Sequence, residues 1–281
     1  MITVLNPGIY STIQDFGRPG FANIGVPISG VMDSYSAKIG NQLLNNKKND
    51  AVIEITFGGC KFKLEKDLKI CVTGANFNLK IDNNQAQMNS VLEVKKDSVL
   101  SFGKKVFGAR TYLCVQGGFL SETVLTSKSF YKGITANSLL KKGDQLKIDT
   151  SKSESIKTFS KIKIDKNHFK TNKIECSKGP EFDLLSEEQQ KALIKNVFTI
   201  SNDNNRVGYR LEELFENQLK PILTSGVLPG TVQLTPSGKM IILMRDCQVT
   251  GGYPRILQLT EDAINALSQK ATNDKLQFQL R

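Results

Sequence analysis

Short runs of apolar or alternating residues, each closed by Gly, Asn or Asp, recur along the chain. Ala51 to Thr56, Lys69 to Thr73, Phe77 to Ile81, Ser90 to Val94, Arg110 to Val115, Val232 to Leu234 and Met240 to Met244 have this form. Runs this short, rich in β-branched residues and bounded by turn formers, predict strands. Between the last two, Thr235-Pro236-Ser237-Gly238-Lys239 is a turn in which Pro fixes φ and Gly accepts φ > 0, so a hairpin is expected. Helices are few. Asp33 can cap one running to about Asn45 through Ala37, Leu43 and Leu44. Ser186-x-x-Gln189 is a capping box with Leu185 as its staple, opening a helix through Leu193 and Ile194, and Thr260-Glu261-Asp262 opens a third. The fold is expected to be mostly β, with spacing that suits barrels or sandwiches. A Ser, Thr and Lys-rich stretch from about 150 to 172 divides it into an N-terminal β-rich domain over 1–155 and a C-terminal β-barrel domain over 156–281.

Composition narrows the class. The chain has 281 residues and 39% hydrophobic content, which suits one large or two mid-sized domains. Its first residues, MITVLNPGIYSTIQDFG, lack the basic and apolar regions of an export signal, and the longest purely apolar run, Met240 to Met244, falls far short of a span of about 20 residues. A soluble cytoplasmic protein without membrane contact is expected. Five cysteines (Cys60, Cys71, Cys114, Cys176, Cys247) are odd in number and widely spaced among apolar neighbours. They read as buried free thiols in a reducing compartment. The single histidine, His168, excludes a multi-His zinc site and leaves little room for a His-based triad. Lying in Lys-Asn-His-Phe-Lys, it reads as a surface residue rather than a base, and no metal site is expected. There is no G-x-x-x-x-G-K-[ST] and no G-x-G, so any nucleotide must be held another way or by another chain.

The formal charge of +11 suggests nucleic acid until its location is considered. Residues 141–173 hold ten lysines against Asp144, Asp149, Glu154 and Asp165, so more than half of the excess is one loop-like stretch. It has no arginine and only Phe159 and Phe169 as aromatics, and reads as a solvated connector. Arginine is more informative. Only seven of 38 basic residues are Arg, and six of them (Arg18, Arg110, Arg206, Arg210, Arg245, Arg255) lie in or beside glycine-rich segments. A rigid fork belongs where it must pair bidentately with a carboxylate, a phosphate or backbone carbonyls, either on a ligand or inside a loop.

Three segments are polar and glycine-dense beside apolar strands. Gly8 to Asp33 carries Gln14, Asp15 and Arg18; Ser201 to Glu212 carries Asp203, Arg206, Tyr209 and Arg210; Ser225 to Arg255 carries Gln233, Arg245-Asp246-Cys247-Gln248 and the Thr250-Gly251-Gly252-Tyr253-Pro254 turn. Charges where an apolar strand ends stand at a barrel mouth or sheet edge, held rigidly within reach of a ligand.

Together, T-x-Q-D-x-G-R-P-G with G-V-P-x-S-G-x-M-D, then S-x-x-x-x-R-x-G-Y-R-L, then S-G-V-x-P-G-x-x-Q-x-x-P-S-G followed by D-x-Q-x-T-G-G-Y-P, span nearly the full length. In this order they resemble the family known as allophanate hydrolase subunit 2, carboxyltransferase subdomains C and D, or the C-type subunit of 5-oxoprolinase. Asn204 and Asn205 stand where a Ser-Asp pair is more usual before the Arg, and Thr260-Glu261-Asp262 where Ser-Ala-Asp is commoner. The resemblance implies two cyclophilin-like β-barrel domains with a few short helices. It also implies a B-type partner and, in the stand-alone bacterial form, an ATP-dependent 5-oxoprolinase that opens 5-oxo-L-proline to L-glutamate with its A-type and B-type subunits. Relatives implied beside it are the carboxyltransferase part of urea carboxylase and an antagonist of a histidine-kinase inhibitor. Biotin would have to arrive on another chain, because no A-M-K-M-like site is present. ATP is the implied co-substrate, with this chain or its partner holding it. Activating a lactam requires cations on developing phosphate charge and a carboxylate to move protons. Arg245, Asp246 and Gln248 are the catalytic candidates, and Gln14, Asp15, Arg18, Arg206, Arg210, Gln233, Gly251, Gly252 and Tyr253 the substrate-binding ones. An ion pair that merely closes the strand end is an equal reading of Asp246.

Overall fold

The structure, a computed structural model, describes residues 1–149, 162 and 165–281. The chain forms two compact units, one made of Met1–Arg18 with Asp33–Phe169, the other of Pro19–Met32 with Lys170–Arg281. The expected boundary between 155 and 156 lies outside the described residues.

The first unit contains β1 (Ile2–Asn6), β2 (Tyr10–Gln14), β3 (Val52–Thr56), β4 (Lys61–Leu64), β5 (Leu68–Asn76), β6 (Lys80–Ile81), β7 (Asn84–Gln85), β8 (Val91–Val94), β9 (Val99–Ser101), β10 (Phe107–Val115), β11 (Phe119–Leu120) and β12 (Gln145–Ile148). They form two sheets in the orders β11-β12-β1-β4-β9-β6-β7 and β2-β3-β10-β5-β8. Ile13, Ile53, Ile55, Phe62, Ile70 and Leu113 are among the residues of its continuous apolar core. The run from Phe77 to Ile81, expected as one strand, pairs only at Lys80–Ile81. Asn78 takes φ 50°, a left-handed turn that an extended ladder cannot contain, although Phe77 and Leu79 remain buried.

Helix α1 (Ser34–Leu43) begins where expected, with the Asp33 side chain accepting from the Ser36 amide. It lies against β5 and β10, and Thr73 Oγ1 donates to the Ser36 carbonyl at 2.8 Å. At Gly40 the approach is so close that an added Cβ would stand 2.4 Å from Cys114 Sγ. Helix α2 (Asn167–Lys170) is a single turn.

The second unit contains β13 (Lys173–Lys178), α3 (Glu187–Lys195), β14 (Phe198–Asn204), β15 (Gly208–Leu211), β16 (Ser225–Gly226), β17 (Thr231–Leu234), β18 (Met240–Leu243), β19 (Thr250–Gly251), β20 (Arg255–Leu259), α4 (Glu261–Ser268) and β21 (Lys275–Leu280). Among the described residues, β13-β20-β17-β18-β15-β14-β21 close into a barrel, with β16 and β19 as a separate ribbon. The expected hairpin is present: β17 pairs with β18 in the register Val232↔Ile242 and Leu234↔Met240. Both helix starts are as read, α3 with a complete Ser186/Gln189 capping box and α4 with Thr260 accepting from the Ala263 amide. The barrel interior holds Tyr209, Val232, Met240, Ile242 and Leu257, together with Met32 from the early segment.

All five cysteines are buried and free. Burial pushes the Cys71 and Cys247 thiols up to about 12 and Cys176 to about 11. Among the described residues no helix is long and apolar enough to cross a membrane.

Candidate functional site

On the second unit, β18 delivers Arg245 and Asp246 just past its end, and β14 turns at Arg206 before β15. Arg206 and Asp246 form a fork pair: Nε donates to Oδ2 at 2.7 Å and Nη2 to Oδ1 at 2.9 Å. Arg206 Nη2 also donates to the Gly30 carbonyl at 2.6 Å, and Arg206 and Asp246 are both buried. The Ser29 amide donates to the Arg245 carbonyl at 2.9 Å. The Pro19–Met32 segment of this unit is thereby fastened to the strand end that carries the candidates.

Arg206, Arg210 and Arg245, which the sequence left open to ligand or loop pairing, each pair with a side chain of this unit. Arg245 Nη2 reaches Glu261 Oε1 at 2.6 Å and Asn265 Oδ1 at 3.2 Å on α4. Arg210 pairs with Asp203 at 3.0 Å, its side chain 38% exposed. Each fork faces its own nearby acceptor, so the positive charge is distributed over separate pairs.

A second group does converge. Gln233 on β17 is 2% exposed, and its Nε2 donates to the Tyr253 carbonyl at 3.5 Å. Gly251 lies directly over that amide: an added Cβ there would meet Gln233 Nε2 at 2.4 Å. Tyr253 and Gln248 are exposed and Gly252 half-buried, which leaves this turn open to solvent above a buried amide. Arg255 braces the same region, its guanidinium bonded to both oxygens of Glu181 at 3.0 and 2.7 Å and to Ser225 Oγ at 2.8 Å.

The N-terminal candidates belong to the first unit, where they bind a loop. Asp15 accepts from Ser127 Oγ at 2.6 Å, Ser129 Oγ at 2.7 Å, the Gly17 amide at 2.8 Å and the Lys128 amide at 2.7 Å. Arg18 Nη2 donates to the Ser129 carbonyl, and Gln14 Nε2 to Thr12 Oγ1 at 3.1 Å and the Phe130 carbonyl at 3.3 Å. All three are buried.

Sequence reasoning missed a second constellation in this unit. Glu54, in the middle of β3, lies between Thr12 on β2 and Tyr112 on β10. Tyr112 Oη donates to Glu54 Oε2 at 2.9 Å and accepts from the Asp33 amide at 2.8 Å. Burial, then the Glu54 and Asp33 carboxylates, push the phenol well above its usual range, so it remains an O–H donor. Arg110 Nε stands 3.9 Å from Glu54 Oε1. The Asp33 carboxylate holds Ser36 Oγ at 2.6 Å and His168 Nε2 at 2.9 Å. His168, expected at the surface, is therefore largely enclosed: its side chain is 12% exposed and Asp33's is 0% exposed. Tyr35 and Phe169 flank the imidazole with ring centroids at 4.8 and 4.9 Å. A carboxylate inside the apolar run Val52-Ile53-Glu54-Ile55 was the signal that could have found this group, since such a residue needs an internal partner. Its pairing with a histidine far along the chain had no local trace.

A cleft of about 860 Å³ in the second unit is lined by Leu184, Gln189, Leu214, Asn217 and Pro236 among others, and by none of the sequence candidates. No group of three or more His, Cys, Asp or Glu that could hold a metal occurs among the described residues.

The family described as "Carboxyltransferase domain, subdomain A and B" matches residues 24–280, and the chain belongs to it. The chain is 33% identical over 284 residues to the C-type subunit of 5-oxoprolinase from Escherichia coli, covering 99% of this chain and 90% of that protein. Its identity to the protein of the same name from Haemophilus influenzae is 31%, over 99% of this chain and 91% of the other. Among solved structures, K. lactis urea amidolyase superposes with a TM-score of 0.84 at 27% identity, covering 99% of this chain but only 18% of that much longer one.

Proposed function

We propose that this chain is the C-type subunit of an ATP-dependent 5-oxoprolinase, converting 5-oxo-L-proline to L-glutamate together with A-type and B-type subunits. The observation that carries the reading is end-to-end similarity: 99% of this chain aligns with 90% of a protein named as that component of 5-oxoprolinase. The urea amidolyase is instead matched over a small fraction of its length. ATP is the proposed co-substrate. With no phosphate loop in the sequence, we place it with a partner. The open turn of Gln248, Gly251, Gly252 and Tyr253 above Gln233 is the proposed substrate contact. Its buried amide and backbone groups suit a small ligand carrying both an amide and a carboxylate. Arg210, beside Asp203, is the most exposed of the candidate arginines and is proposed to meet anionic charge. Arg206 and Asp246 act through position, by holding the strand end and the Gly30 segment together.

The test is reconstitution with the A-type and B-type subunits, measuring ATP-dependent glutamate formation from 5-oxoproline. Turnover by the assembled complex and none by the chain alone is expected. A complex inert towards 5-oxoproline, yet able to carboxylate urea when supplied with biotin carboxylase and a biotinyl carrier, would replace this reading with the carboxyltransferase one.

A further inference from the structure

The Asp33–His168 pair is built in a way that a casual ion pair is not. Asp33 is fully buried at the N-cap of α1, and Ser36 bonds its carboxylate through both amide and hydroxyl, at 3.1 and 2.6 Å. Its own amide is fixed by Tyr112, which Glu54 fixes in turn. An ionised carboxylate only accepts, so His168 Nε2 must be the donor in the 2.9 Å bond, and the neutral ring carries its lone pair on Nδ1. Orientation of one imidazole nitrogen by a buried carboxylate, leaving the other bare, is the arrangement that makes a histidine a proton acceptor and then stabilises the imidazolium. Tyr35 and Phe169 hold the ring from its sides, and Phe107 on β10 stands behind Phe169 at 4.9 Å. The groups against the imidazole are Asp33 and Tyr35 from the start of α1 and Phe169 beside it; Tyr112 and then Glu54 and Arg110 are linked to it through Asp33. The Asp165 backbone carbonyl accepts from the His168 amide at 3.2 Å, while the Asp165 carboxylate is taken by the Asn167 amide at 2.9 Å.

We infer that His168 is a proton-transfer residue of this chain, with Asp33, Tyr112 and Glu54 as its positioning residues. The substrate assignment rests on the 5-oxoprolinase reading; the geometry does not. In the hydrolysis, Nδ1 takes a proton from water as the water oxygen bonds to the lactam carbonyl carbon. It returns that proton to the ring nitrogen as the C–N bond breaks. The lactam oxygen carries the phosphoryl group it has taken from ATP with release of ADP, so C–N cleavage leaves an acyl phosphate, which a second water cleaves to carboxylate and phosphate. The imidazole ends unchanged.

Because the chain holds one histidine, labelling histidine in this chain with ¹⁵N gives a single imidazole spectrum in the assembled complex. Nε2–H with bare Nδ1 is expected in the neutral form, and loss of that preference in Asp33→Asn. Replacing His168 by Gln in the complex is expected to lower kcat about a hundredfold or more, the scale of general acid–base catalysis, with KM within about twofold. His168→Gly should recover at least about tenfold with added imidazole, which repair of a merely structural role would not produce. A His168→Gln complex within about threefold of wild type, or a folded His168→Gly complex whose loss imidazole does not relieve, overturns the assignment while leaving the 5-oxoprolinase reading intact. A wild-type complex that forms no glutamate overturns that reading, and this assignment with it.

Discussion

Arg206 and Asp246 are joined twice, by a parallel pair of side-chain bonds at 2.7 and 2.9 Å and by the Asp246 amide donating to the Arg206 carbonyl at 2.8 Å. Removing one member of a buried pair leaves the other charge without compensation. Arg206→Ala is therefore expected to destabilise the protein by about 3–5 kcal/mol. Arg210→Ala, at a pair whose side chains are 38% and 60% exposed, should be within about 1 kcal/mol of wild type. Urea denaturation of both variants checks this; equal midpoints would return Arg206 to the list of ligand-binding residues.

Gly251 tests the turn above Gln233. An added methyl would have to displace an amide nitrogen 2.4 Å away that is already enclosed. Gly251→Ala is expected to cost about 1–3 kcal/mol through overpacking, and to lower complex activity through a disturbed contact surface. If Gly251→Ala keeps full activity and melting temperature, Gln233 is free to move aside and the turn is not the contact proposed.

The Glu181–Arg255 pair has a pH signature. Hydrogen bonding from Arg255 lowers the Glu181 carboxyl below its usual 4.5. Its contribution is thus fully present above 4.5 and is lost as pH falls through the lower folded value. Glu181→Gln should be less stable than wild type by about 1–3 kcal/mol at neutral pH, with the difference shrinking below pH 4.5. Denaturation at several pH values reads this directly, and a difference that instead grows on acidification would contradict it.

The thiols should be inert in the folded chain. With Cys71 pushed up to about 12, only about one molecule in ten thousand carries its thiolate at pH 8, and burial blocks access as well. Mass spectrometry after iodoacetamide treatment should show no adduct on the native protein and five after denaturation. An adduct on the native protein would mark a local opening at that cysteine.

Local rules carried far in this chain. Asp33, Ser186 and Thr260 all cap helices, and the Thr235–Lys239 turn joins the strands it was expected to join, because each signal is complete within a few residues. The site was legible only as residue types. That arginines would meet carboxylates could be read from the sequence, but which carboxylate could not, since Arg206 and Asp246 are 40 positions apart and Arg255 and Glu181 74. Glu54 and His168 were overlooked for the same reason. One was counted as part of an apolar strand and the other as part of a lysine-rich stretch, and only three-dimensional pairing sets them apart.

The placement of Pro19–Met32 in the second unit has a consequence for biosynthesis. Met32 is fully buried in the barrel interior and the Gly30 carbonyl accepts from Arg206, so the barrel includes a piece translated well over a hundred residues before its main strands. On the ribosome that early strip must wait, unsatisfied, until β13 through β21 have emerged. Residues 170–281 expressed alone would lack it, and supplying a peptide of residues 19–32 in trans should restore their cooperative folding.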